Sequence, residues 1–386
     1  MLGKNSTPFA AIAFEQMHRD GDNMAVVAVR GSYELSADGE LNIGPSQAVV
    51  LADEYEGDPH TTPLLRVSDL IPFKPASDVT ILGYAYSPKE QNCPFHFGLS
   101  IAGREYWLRC HGERTWEAVG RDWQALAQST KDSMHQHAAS SYIWKLSASV
   151  PLSRIPLDYA MAAGGEIVGA QRYLADPRNP RGAGILHPSF VLDNKNFPAP
   201  SIDSEEAPVT SPFEASEPQG TAPIPPWWAW RQRYAGTYDD TWKRERYPQL
   251  PKDFSYSFYQ SGHPKLVWKE YLRGDETITL YRLTQSKERL TFVLPAMVPI
   301  ARFLWRDDRE VIARLNLDGV HIDMREGPPW RVDLTWRAWI AVCPLFFKVD
   351  LKLARLDHPL LHDLPIVGEF GLEDAPGRRM EEQYER

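Results

Sequence analysis

The chain has 386 residues, 42 Lys+Arg against 51 Asp+Glu, and a formal charge of −9. A groove that neutralises nucleic-acid phosphates needs clustered cations, so this balance argues against DNA or RNA as the partner. With 43% hydrophobic and 24% charged residues the chain is not globally disordered, and three scattered cysteines (Cys93, Cys110, Cys343) exclude a disulfide framework or a paired-cysteine metal knuckle.

There are 32 prolines, about 8% of the chain against a usual ~5%, which disfavours a helical bundle because proline breaks helix interiors. Near the N-terminus the apolar stretch Pro8–Phe14 stops at Glu15, too soon for a secretory segment. No run of about 18 apolar residues occurs, so the expectation is a cytoplasmic protein that makes no membrane contact.

The first segment reads as strands. Met24–Leu35 alternates, with Val27, Val29, Tyr33 and Leu35 on one face and Arg30, Ser32 and Glu34 on the other, the period of a half-buried strand. Asp38-Gly39 supplies a turn before Leu41–Ile43, and Val79–Tyr86 is a further β run. Phe95–Ile101 and Arg104–Cys110 form a hairpin about Ala102-Gly103. Arg114–His137, with Trp116, Val119, Trp123 and Leu126 at helical spacing, is the one helix expected.

From Pro151 to Pro264 prolines recur and little regular structure is expected. Ser201–Pro226 reads as an extended linker or exposed loop. Beyond it, Trp227, Trp228, Trp230, Tyr234, Tyr238, Trp242, Tyr247, Phe254, Tyr256, Phe258 and Tyr259 form an aromatic belt that reads as an ordered, irregular packing layer. Strands return in Lys265–Asp357: Glu276–Leu283, Lys348–Leu353 and, most strictly alternating, Arg331–Ile340. The charged tail after Gly371 is expected to fray. The fold class is therefore mainly β: two antiparallel sandwich- or barrel-like units, residues 1–150 and 265–386, joined by an irregular proline- and aromatic-rich segment, 151–264.

Chemistry is sparsely marked. Gly98-Leu99-Ser100-Ile101-Ala102 lies inside an alternating strand and lacks the second glycine of a nucleophile elbow. His135-Gln136-His137 has no third ligand nearby and reads as a solvated loop. Asp53-Glu54-Tyr55-Glu56-Gly57-Asp58 reads as a turn or protein-contact loop in preference to an ion or acid–base site. Asn179-Pro180-Arg181-Gly182-Ala183-Gly184 reads as a turn before it reads as an anion nest. No catalytic residue, cofactor or metal is expected.

Several strings taken in order do carry a resemblance: VLADEYEGDP (50–59), LIPFKPASDVTILGYAYSP (70–88), NPRGAG (179–184), AGTYDDTWKRERYPQLPKDFSYSFY (235–259) and VHIDMREGPPWRVDLTWRA (320–338). Over about residues 20–345 the chain resembles a bacterial domain-of-unknown-function family found in type VI secretion gene clusters. Its members are proposed adaptors or chaperones that help load effectors onto the VgrG–PAAR spike. Two departures stand out: Met161-Ala162-Ala163 where the family commonly has a bulky aromatic before Gly164-Gly165, and an insertion-like stretch, Glu117–Ser147.

The resemblance implies a non-enzymatic cytoplasmic adaptor whose partner is an effector or a spike protein. The motif positions it marks as expected partner-binding residues are Asp53, Glu54, Asp58, Asn179, Gly182, Gly184, Gly236, Thr237, Tyr238, Asp239 and Trp242. The alternative is a glycan-acting hydrolase built on the 53–58 carboxylates and Asp239/Asp240, or a carbohydrate-binding sandwich with a tryptophan platform.

Overall fold

A computed structural model describes residues 1–88, 94–124, 137–169, 172–192, 194–214, 216–342, 345–361 and 364. Cys93, Cys343, His135, Gln136 and the tail after Gly371 lie outside them. The protein is mainly β, and none of the sheets among the described residues closes into a barrel. Two compact units are interleaved along the chain: residues 1–81, 223–278 and 291–386 form unit 1, and residues 82–222 and 279–290 form unit 2. They do not coincide with the segments 1–150, 151–264 and 265–386. The aromatic belt belongs to unit 1, and most of the proline-rich stretch before it belongs to unit 2.

Unit 1 is organised by a seven-stranded sheet. Its order is Ala10–Met17, Asn23–Leu35, Trp330–Ala341, Asn316–Asp323, Ser77–Leu82 and Val267–Trp268, with Leu41–Ile43 paired beside Asn23–Leu35. The two longest strands pair antiparallel with Val29 opposite Trp336, Tyr33 opposite Val332 and Ala25 opposite Ile340. Residues directly opposite share a face, so one face is a continuous apolar layer. Phe9 stacks there on Trp336, with ring centroids 5.7 Å apart. A second sheet of unit 1 runs Leu2–Asn5, Phe346–Arg355, Met297–Trp305, Glu310–Arg314. Its first pair is parallel and the other two are antiparallel.

The other face of the long pair carries the alternating polar residues, and it too is buried. The period-two reading of both strands is correct, but the middle of their polar rows does not face water: Arg30 is 4% exposed, Asp333 1% and Arg337 3%, while Glu34 towards the strand end is exposed. Arg30 donates to Asp333 Oδ2 at 2.8 Å and to Asp69 Oδ1 at 3.2 Å. Arg337 donates to Asp318 Oδ1 at 2.5 Å and to Asp69 Oδ1 at 3.3 Å. Ser32 Oγ and Arg331 Nε complete the shell of Asp333. Lys74 pairs with Asp78 at 2.7 Å, and Asp78 Oδ2 also accepts the Ser261 N–H at 2.6 Å.

Burial opposes ionisation of Asp333, but Arg30 and Arg331 outweigh it and hold the carboxyl at about 2. Burial pushes Asp318 above its ordinary value against the pull of Arg337 and Lys74. His321, opposite Asp333 in the register, is lowered to about 4 by burial; its Nδ1 meets Thr80 Oγ1 at 2.9 Å. Beyond the ionic row the same face becomes aromatic, where Trp339 stacks with Phe73 and His18, and Tyr256 stacks on Phe73 at 4.1 Å.

Unit 2 contains the sheet Ile202–Asp203, Arg104–Cys110, Phe95–Ile101, followed by Thr277–Tyr281 and Arg289–Val293, of which the portion within 279–290 belongs to this unit. The expected hairpin forms as read: Ile101 pairs with Arg104, and the turn residues Ala102 and Gly103 both take positive φ, 49° and 74°. Cys110 is a buried free thiol whose pKa burial pushes up to about 12.

Two expectations fail in unit 2. Thr115–Arg121 is a strand between Tyr142–Leu146 and Asn196–Pro198, not the start of a helix. Its apolar positions never formed one stripe: Trp116 packs against Ala163, Ala199 and Val209, while Val119 and Trp123 are exposed. Residues 125–136 of that expected helix lie outside the described residues. Ser201–Pro226 is not a linker either, since 201–204 and 218–225 are buried. Asp203 explains the first of these stretches. It accepts from Arg109 Nε and meets His111 Nε2, both at 2.9 Å, and lies 3.6 Å from Arg114.

Two measurements test the buried row. Arg30→Met leaves Asp69 and Asp333 short of a cation and is expected to cost about 3–5 kcal/mol in urea unfolding. A change of only a few tenths would show that the row is solvated. On acidification, the unfolded chain protonates His321 near 6.5 while the folded one resists until about 4, so stability falls as pH drops through that window. Asp333 extends the loss from 3.8 towards 2, and Asp318 opposes it in sign. The urea midpoint is expected to fall between pH 6.5 and 4, less steeply in His321→Asn; identical slopes would refute the assignment.

Candidate functional site

The motif positions of the sequence serve mostly as local architecture. In unit 1, Asp53 Oδ1 accepts the Ser68 N–H at 2.8 Å, and Glu54 pairs with Arg66 at 2.5 Å. Asp58 closes its own loop, its carboxylate taking the His60 N–H and its carbonyl those of Thr61 and Thr62. The acidic stretch is thus a side-chain-capped turn.

Farther along unit 1, Gly236 takes φ 78°, and a Cβ there would come within 2.8 Å of Pro251. Thr237 donates to Asp253 through its N–H at 3.0 Å and its hydroxyl at 2.7 Å. Asp239 is the N-cap of the helix Asp240–Glu245, accepting the Trp242 N–H at 2.7 Å. The Trp242 indole donates to Gln249 O at 2.8 Å, with Tyr238 edge-on at 4.7 Å and half exposed. This motif is a capped helical turn tied to the loop that follows it.

In unit 2, Asn179 is fully buried and gathers its loop: Nδ2 donates to Tyr159 O at 2.8 Å and Ala163 O at 2.9 Å, while its carbonyl accepts from Gly165 and Gly182. A Cβ on Gly182 would meet the Asn179 amide at 2.5 Å. At Gly184 the backbone is also left-handed, with φ 89°. The Gly182 and Ala183 N–H groups point to backbone carbonyls, as in a turn. Eight of the eleven positions serve turns of unit 1, and three serve a loop of unit 2.

The better candidate is a groove of about 430 Å³ in unit 1, within the usual 300–1,000 Å³ of ligand sites. Trp230, Arg233 and Tyr234 line it from the segment just before the Gly236 turn, and Lys269, Pro264 and Val267 line it from another. What shapes it is Arg231, buried at 4% exposure, whose Nε donates to Phe258 O at 2.7 Å and whose Nη1 donates to Ile224 O at 3.0 Å. One guanidinium therefore joins three irregular stretches, alongside backbone bonds such as Ile224 N–H to Ser261 O at 2.7 Å. Trp230 rests against the buried His263 ring at 5.1 Å.

Trp230 and Tyr234 stood out in sequence as part of the aromatic belt, but Arg233 and Lys269 did not. The available signal was the interleaving of aromatic and basic residues in WWAWRQRY.

A family model described as an uncharacterized protein conserved in bacteria, DUF2169, matches residues 20–337. The chain belongs to that family. The DUF2169 match takes in the ionic row from Arg30 to Arg337 together with the groove. No match was found among curated proteins or solved structures. Among the described residues no helix is long and apolar enough to cross a membrane.

If Arg231 holds the groove while Asp239 only caps a surface helix, their substitutions should differ in size. Arg231→Met, which strands two buried carbonyls, is expected to lower stability by about 2–3 kcal/mol, and Asp239→Ala by about 1 kcal/mol. Equal costs in urea titrations would remove the distinction.

Proposed function

We propose that the protein is a non-enzymatic adaptor that grips a partner polypeptide through the groove of unit 1. In keeping with the family resemblance, the partner is an effector or a VgrG–PAAR spike component of a type VI secretion system, bound in the cytoplasm before export. The observation that carries this reading is the groove itself, where Trp230 and Tyr234 stand beside two cations, Arg233 and Lys269, that form no ion pair among the described residues. Trp, Tyr and Arg are the residue types that dominate protein-interface energetics. A rigid aromatic also loses little conformational freedom when it is covered.

The test is capture of the neighbouring gene products. Tagged protein is expected to co-purify with the effector or spike protein encoded beside it, Trp230→Ala to weaken that capture at least about tenfold, and gene deletion to abolish secretion of the effector. No association in pull-down together with normal secretion in the deletion strain would sink the proposal.

A further inference from the structure

We propose that the groove of unit 1 accepts an acidic, apolar-bearing peptide segment, with carboxylates on Arg233 and Lys269 and an apolar side chain against Trp230. The inference rests on the adaptor reading and specifies the chemistry of its partner.

The lining is one-sided in charge. Among the described residues no carboxylate lines the groove, although the chain as a whole carries −9. Arg231 in its wall is already engaged by two carbonyls and feels the charges of Asp53 and Asp78. Arg233 and Lys269 are different: both are exposed, and neither has a carboxylate within ion-pair distance among the described residues. Arg233 lies over the Tyr234 ring at 4.8 Å, which holds the guanidinium beside the groove. Charge-assisted hydrogen bonds from such groups are the strong ones, and a guanidinium offers a carboxylate two parallel donors. The negative charge elsewhere on the protein is screened beyond about 8 Å at physiological salt, so the local cations decide the sign at contact.

A bare anion would leave part of the lining unanswered. Trp230, Pro264 and Val267 provide apolar surface that a small inorganic ion would leave wet. Carboxylate and apolar side chain occur together in an extended acidic peptide.

The experiment uses the full chain and fluorescein-labelled short peptides of alternating Glu and Leu, with Gln-for-Glu and Lys-for-Glu counterparts, read by fluorescence anisotropy. The Glu peptide is expected to bind roughly tenfold tighter than its Gln counterpart. Arg233→Gln with Lys269→Gln should erase that ratio, and Trp230→Ala should weaken both peptides. Unchanged thermal melting confirms that these variants fold. Equal binding of the Gln or Lys peptide, or displacement of the Glu peptide by inorganic phosphate or ATP at lower concentration, overturns the inference. Peptide preference with no partner captured from the cell removes the adaptor reading and leaves the groove chemistry standing. Partner capture that persists undiminished in R233Q/K269Q removes the groove chemistry alone.

Discussion

The pairing of Arg30 with Asp333 and Asp69 is the constraint around which unit 1 is arranged. Taking an ion out of water costs several kcal/mol even after relaxation, so a row of charges inside a sheet packing survives only with its counter-charges present. Part of that counter-charge comes from outside the strands that carry the row. Asp69 reaches Arg30 and Arg337 while its Oδ2 accepts the Val50 N–H, and Asp78 binds Lys74 and the Ser261 N–H. Val50, Asp69 and the 261–262 stretch are thereby tied to the sheet through polar groups. Some atoms remain unanswered, among them His321 Nε2, Asp318 Oδ2 and the Nε atoms of Arg30 and Arg337. A pocket lined by three of these side chains, Arg30, His321 and Arg337, has room for ordered water.

The same device recurs where the chain is richest in proline. Proline removes ladder donors, so such segments must be held by side chains or by isolated backbone bonds. In unit 2, Asp203 collects Arg109, His111 and Arg114, and burial of its carboxyl is outweighed by the His111 and Arg109 hydrogen bonds, holding it at about 2. Asn179 performs the neutral counterpart, tying Tyr159, Ala163, Gly165 and Gly182 through one amide and one peptide group. In unit 1, Arg231 binds two carbonyls of the aromatic stretch. Each is a buried polar side chain that replaces a missing strand pairing.

The groove follows from that last case. Because Arg231 turns inward to satisfy backbone carbonyls, the neighbouring Trp230 and Arg233 are carried to the surface of the same short helical turn, Ala229–Gln232 and its C-cap. The densest motif of the sequence, Gly236 to Trp242, lies immediately after it and anchors the chain there through Asp253 and Gln249. The conspicuous motif residues thus hold the frame, and less conspicuous neighbours face outward.

Local patterning was enough to determine the β character, the alternation of Asn23–Leu35 and Trp330–Ala341, and the Ala102-Gly103 hairpin, because period-two alternation and turn chemistry depend on residues a few positions apart. The turn character of Asp53–Asp58 and Asn179–Gly184 was legible for the same reason. Only the tertiary structure decided that the polar rows are buried, since Arg30 and Asp333 are 303 residues apart and alternation alone cannot tell a solvated face from an ion-paired one. It also decided that Trp116 belongs to a strand, that Asp203 is a hub inside an apparent linker, and that Arg233 and Lys269 share a groove. Each of these depends on long-range partners, and a charged or aromatic side chain takes its role from what surrounds it.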